Sequence, residues 1–92
     1  MLRIVPSNKF KKDLKLAVKR GYDIKLLENV VNRLANEEPL EPKYKDHTLS
    51  GDYSGFRECH ITPDWLLVYQ VINDELYCFC QEQELTVSCF NN

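Results

Sequence analysis

Residues 65–72 read WLLVYQVI, an apolar run interrupted only by Gln70. A run this short and this continuous predicts a strand buried on both faces, at the centre of a sheet. Its flanks supply the neighbours. FRECHI (56–61) alternates apolar and polar residues as a half-buried strand does, and Thr62-Pro63-Asp64 is turn chemistry. Asn73-Asp74 suits a tight hairpin, which makes ELYCFCQ (75–81) the returning strand. LTVSCF (85–90) alternates as well and is expected to form one more strand or to pack on the sheet or a neighbouring chain.

The N-terminal third has the other period. LRIV (2–5) is a short strand stopped by Pro6, and Ser7 can cap a helix that follows. Phe10, Leu14, Ala17 and Val18 form one apolar stripe, and Gly21 provides a left-handed stop. Asp23 can cap a second helix with Ile24, Leu27, Val30, Val31 and Leu34 on its apolar side, ending before Pro39. Residues 38–55 carry two prolines and two glycines and read as a long loop, a length that hints at function. The expected fold is α+β. It has one domain, 1–92, with an N-terminal strand and a helical hairpin on a mainly antiparallel sheet of about four strands.

Composition bounds the setting. Hydrophobic residues make up 43% and charged residues 28%, a globular balance. No apolar run approaches the ~18 residues of a membrane span, and MLRIVPSNKF lacks a secretory pattern, so a cytoplasmic address is expected, with thiols rather than disulfides. Cys78 and Cys80 form a C-x-C pair without a second pair at zinc spacing, so neither metal nor cofactor is expected. The net charge of −2 hides an asymmetry. Residues 1–20 hold seven basic side chains against Asp13 alone, and no Lys or Arg follows Arg57. A basic face on an acidic chain suits an anionic partner such as nucleic acid or the ribosome; it also suits a plain solvated helix face.

His47 and His60 are the only histidines. Imidazole titrates near neutrality, so a pair can serve as general base and general acid. RNA cleavage needs such a pair: one group takes the ribose 2′-OH proton, the other protonates the leaving 5′ oxygen, and cations stabilise the charge on phosphate. Lys43, Lys45 and Arg57 are the nearby cations, and Trp65 can stack on a base. Plainer roles compete: His47 as a surface residue, His60 bonded to a backbone carbonyl, Trp65 as core, Arg57 paired with Glu58 or another carboxylate, Asp64 as the turn residue after Pro63.

The order of these residues says more than their types. KYKDHTLSGDYSGFRECHITPDWLLVY (43–69) resembles the YafQ branch of the RelE-like toxins of bacterial toxin–antitoxin systems. The likeness lies in Tyr44-Lys45-Asp46-His47, Leu49, Gly51, Phe56-Arg57, His60 and Pro63-Asp64-Trp65. It implies a ribosome-dependent endoribonuclease that cuts translated mRNA and is neutralised by an antitoxin, usually of ribbon-helix-helix type. It also implies catalytic roles for His47, His60 and Asp64 and substrate contacts from Trp65 and Phe90.

The tail departs from that pattern. Family members end in a segment resembling Arg-Thr-Gly-Thr-His-Ser-Glu-Leu-Phe, in which the arginine stabilises phosphate and the histidine is catalytic. Aligned on Phe90, this chain has Glu82 at the arginine and Thr86 at the histidine. Reading the possible codons from the third base of Tyr77 permits Leu-Phe-Leu-Pro followed by the whole family motif and then a stop codon. The tail is therefore read as a frameshifted version of the active one, with an ordinary diverged tail as the alternative.

Overall fold

A computed structural model of the chain describes residues 1–51 and 54–82. Eight elements follow in order: β1 (Arg3–Pro6), α1 (Asn8–Lys19), α2 (Ile24–Ala35), a 3-10 turn (Pro42–Tyr44), β2 (His47–Thr48), β3 (Arg57–Thr62), β4 (Trp65–Ile72) and β5 (Glu75–Glu82). The helix ends are set as the sequence predicts. Ser7 Oγ accepts from the Phe10 amide at 3.0 Å, Asp23 Oδ1 accepts from the Lys25 amide at 3.0 Å, and Gly21 follows α1 with φ +79°. Val18, expected on the apolar stripe of α1, is 58% exposed; Asp13 takes a buried place on that helix instead.

The sheet has five strands in the order β1-β5-β4-β3-β2. All pairs are antiparallel except β1 with β5, which run parallel. The expectation of about four strands missed β2, a two-residue strand inside the predicted loop that pairs His47 with Glu58 and Thr48 with Arg57. Two residues are too few to show alternation, so the strand exists only because β3 offers it an edge.

Alternation along β3 and β4 gives the sheet two distinct faces. Cys59, Ile61, Trp65, Leu67, Tyr69, Leu76 and Cys78 join Phe10, Ala17, Leu27, Val30 and Leu34 in a core beneath the helices. Glu58 and His60 point to the opposite face, beside their register partners Val68 and Leu66. On that side Phe56 and Phe79 pack edge to face at 4.9 Å. Cys59 and Cys78 are free, buried thiols. The expectations placed on residues 83–92 lie outside the described residues.

Candidate active site

His47 enters the site because β2 pairs with β3, and His60 because it lies two residues beyond Glu58 on the same face of β3. Their rings approach to 6.4 Å between centroids, tilted by 38°. A phosphodiester group fits between imidazoles at such a spacing, one near the attacking oxygen and one near the leaving oxygen.

The tautomer of His47 follows from its neighbour. Nδ1 lies 2.6 Å from the Lys45 carbonyl oxygen. A carbonyl can only accept, so Nδ1 carries the proton and the neutral ring presents a lone pair at Nε2. Lys45 reaches this pose by adopting φ +49°, a left-handed conformation uncommon outside glycine. The turn that carries it begins with Pro42, whose fixed φ suits a first helical position.

Glu58 faces His47 from the adjoining strand, with Oε1 at 3.4 Å from Nε2. The residue is only 6% exposed, and among the described residues its Oε2 has no hydrogen-bond partner. A buried carboxylate with one unsatisfied oxygen costs free energy, and such costs concentrate where a site needs charge. Once His47 takes a proton on Nε2, the two groups become an ion pair across strands. The sequence reading named Glu58 only as a partner for Arg57. Counting by two from His60 would have placed it beside the histidines.

Several expected site residues stand elsewhere. Arg57 is three residues from His60 and lies on the opposite face of β3, so it is not a free phosphate-binding cation. Its guanidinium grips Asp46, with Nη2–Oδ2 at 3.0 Å and Nε–Oδ1 at 3.3 Å, and Nε also lies 3.2 Å from the Tyr69 hydroxyl. The hydrogen bond to Asp46, then that to Tyr69, holds its proton more firmly than usual. Burial, reinforced by Asp46, raises the Tyr69 phenol in the same direction. The competing reading of Arg57, pairing with a carboxylate, is the one realised, and Asp46 is the carboxylate.

Trp65 is 1% exposed and belongs to the core. Tyr22 lies against its ring at 5.0 Å between centroids, and Nε1 donates to Gln81 Oε1 at 3.1 Å. A ring covered in this way offers no face to a base, which corrects the expectation of a stacking platform. The contact has another effect. Gln81 also donates from its backbone to Asp13 at 2.9 Å and from Nε2 to the Phe10 carbonyl at 3.3 Å. Trp65, Asp13 and Phe10 therefore fix the end of β5, from which the tail departs. Asp64 is exposed in the β3–β4 turn, and its Oδ1 accepts from Thr62 Oγ1 at 2.9 Å. Among the described residues it makes no hydrogen bond to either histidine. Lys45 is exposed and adjoins His60 in a surface cavity. Phe90 lies outside the described residues.

The family model for YafQ, a bacterial toxin of type II toxin–antitoxin systems, matches residues 2–83. The chain belongs to the YafQ toxin family. It is 42% identical over 74 residues to the mRNA interferase toxin YafQ of Escherichia coli K12, covering 79% of each chain. It is also similar to a metal-bound toxin from Helicobacter pylori, at 53% identity and TM-score 0.85, covering 90% of this chain and 94% of that one. The E. coli DinJ–YafQ complex contains a similar chain at 36% identity and TM-score 0.83, with 90% and 93% covered. The family resemblance and the α+β fold expected from the sequence are thus established, and the chain is a type II toxin, an mRNA interferase by family. Among the described residues, no three His, Cys, Asp or Glu side chains are grouped to hold a metal. No described helix is long and apolar enough to cross a membrane.

Proposed function

We infer that the His47–His60 face is the RNA-cutting surface of a YafQ-type interferase whose activity is weak because its C-terminal motif has been lost. His47 Nε2 takes the 2′-OH proton of a nucleotide in ribosome-bound mRNA, and the 2′ oxygen attacks the adjacent phosphorus. The bond to the 5′ oxygen breaks, and with the tail histidine absent it is left to His60, protonated beforehand, to deliver a proton to that oxygen. The products are a 2′,3′-cyclic phosphate and a 5′-hydroxyl. Glu58 stabilises the imidazolium formed on His47, and Lys45 supplies positive charge near the phosphate. Asp64 belongs to the site by resemblance.

The single observation that carries this reading is the pair of imidazoles 6.4 Å apart, one with its proton fixed on the far nitrogen by a backbone carbonyl. The lowered activity rests on the tail. The family match ends at residue 83, and the sequence beyond it has no arginine or histidine. Losing a general acid–base group costs about 10²–10⁴-fold in rate, and losing a cation aimed at the phosphate costs roughly 10²-fold or more. The partners that fit are the ribosome with its mRNA, met through the basic α1, and an antitoxin, by resemblance of ribbon-helix-helix type. A second reading, a non-catalytic module that binds antitoxin or ribosome, is favoured by the same tail.

The deciding experiment compares cleavage of ribosome-bound mRNA by this chain and by a version carrying the alternative-frame tail from residue 78. The restored tail should raise the rate by 10³-fold or more, and His47→Ala or His60→Ala in that version should remove most of the gain. Equal rates with both tails would refute the account of weak activity. Undiminished cleavage by either histidine variant would refute the assignment of the site.

A further inference from the structure

Beside His60 the surface opens into a cavity of about 580 Å³. Leu26 from α2, Tyr44, Ile61 and Pro63 give it apolar walls, while Lys43 and Lys45 add two cationic residues to its lining. Its volume lies within the roughly 300–1,000 Å³ of small-molecule sites. It also shares parts with the cutting surface. His60 lines it directly, and Lys45 lines it while its own carbonyl fixes the His47 ring. A group seated here therefore touches the same short segment that orients the base of the reaction.

The chemistry of the wall narrows the occupant. Lys43 Nζ lies 5.2 Å from the Tyr44 ring centroid and 3.9 Å from Glu41, a loose pair that leaves its charge available. Lys45 forms no ion pair among the described residues, and it is held at φ +49°. Apolar walls, one aromatic ring and two cations together match a nucleobase with its phosphate: the base enters the walls and the phosphate meets the ammonium groups. A purely apolar guest would leave the cations unused, and a bare anion would leave the walls unused.

We propose that this cavity is a nucleotide subsite that receives one base of the RNA adjoining the scissile phosphate, with Lys43 and Lys45 holding the neighbouring phosphate. The proposal rests on the RNA-cutting reading of the adjacent face. It makes α2, through Leu26, part of substrate selection.

The test uses the full chain labelled with ¹⁵N and a three-nucleotide RNA in which the central 2′-OH is replaced by hydrogen, so that no cleavage occurs. Titration should shift the amide signals of Lys43, Lys45, Ile61 and Thr62 together with those of His47 and His60. Leu26→Trp fills the cavity from a side chain that is 39% exposed, so the core is untouched. It should weaken binding about 10-fold or more, and so should an RNA lacking one terminal base, because base–aromatic contacts are worth roughly that much. Shifts confined to His47 and His60, with Leu26→Trp binding like the parent, would overturn the subsite and leave the cutting face standing. Equal affinity for the RNA lacking a base would overturn it too, by showing that phosphate alone is held. Absence of shifts anywhere would bring down the subsite and weaken the RNA reading with it. Cleavage by the tail-restored histidine variants judges that reading separately.

Discussion

Replacing Glu58 with glutamine keeps the shape of the side chain and removes its charge. The residue is 6% exposed, its Oε1 sits 3.4 Å from the His47 ring, and among the described residues its Oε2 meets no donor. Burying a carboxylate costs several kcal/mol after relaxation, and because the facing His47 side chain is exposed, neutralising Glu58 leaves no buried charge without its partner and recovers part of that cost. A glutamine here leaves an amide group to be satisfied, which offsets about 1 kcal/mol of that gain. The net expectation for Glu58→Gln is a stabilisation of about 1–2 kcal/mol. In a chain of this size that corresponds to a rise of roughly 4–8 °C in Tm for each kcal/mol. Urea unfolding followed by the fluorescence of Trp65, the only tryptophan and a buried one, reads the change directly. The same variant in the tail-restored chain should cut mRNA about 10-fold more slowly or worse, because the imidazolium at His47 loses its counter-charge. Stability that falls on this substitution would refute the argument, since it would mean that both carboxylate oxygens are well satisfied in the folded protein.

Two other outcomes are expected. Trp65→Ala should cost about 3–5 kcal/mol by leaving a cavity under Tyr22, whereas Trp65→Phe should retain most of the stability and lose only the bond to Gln81. If Trp65→Ala folds as stably as the parent in urea, the ring is not core. Burial pushes the Cys78 thiol up to about 12 and raises Cys59 in the same direction. Both groups hold protons more tightly folded than unfolded. Their contribution is therefore complete below the ordinary thiol value of 9.0 and is lost as pH rises towards about 12. Urea midpoints should fall between pH 9 and pH 11, and at pH 8 alkylation should spare Cys59 and Cys78 in the folded chain; rapid labelling of either at that pH would contradict the burial argument.

Much of the architecture was legible because it rests on local chemistry. Ser7 and Asp23 cap where expected, Gly21 stops α1, and WLLVYQVI lies at the centre of the sheet. β2 was invisible for a physical reason: its pairing comes from the neighbouring strand and leaves no pattern in His47-Thr48. The histidine pair was readable as chemistry and through the family resemblance, but its 6.4 Å spacing depends on that same unseen strand. Arg57 was misplaced although the information was present, because a step of three along a strand always crosses to the other face. Trp65 could not be assigned by alternation, since its strand is apolar on both faces, and only the contact with Tyr22 decides that it is core. Glu58 was underread because a carboxylate beside an arginine invites a pairing that the pleat forbids.

The parallel pairing of β1 with β5 joins Arg3 to Glu75 across nearly the whole described chain. β1 therefore cannot dock until β5, far along the chain, is present to pair with it. Until β5 has been synthesised, the clamp of Asp13 and Phe10 on Gln81 has nothing to hold. The scaffold thus closes through a contact between segments far apart in sequence, not between neighbours.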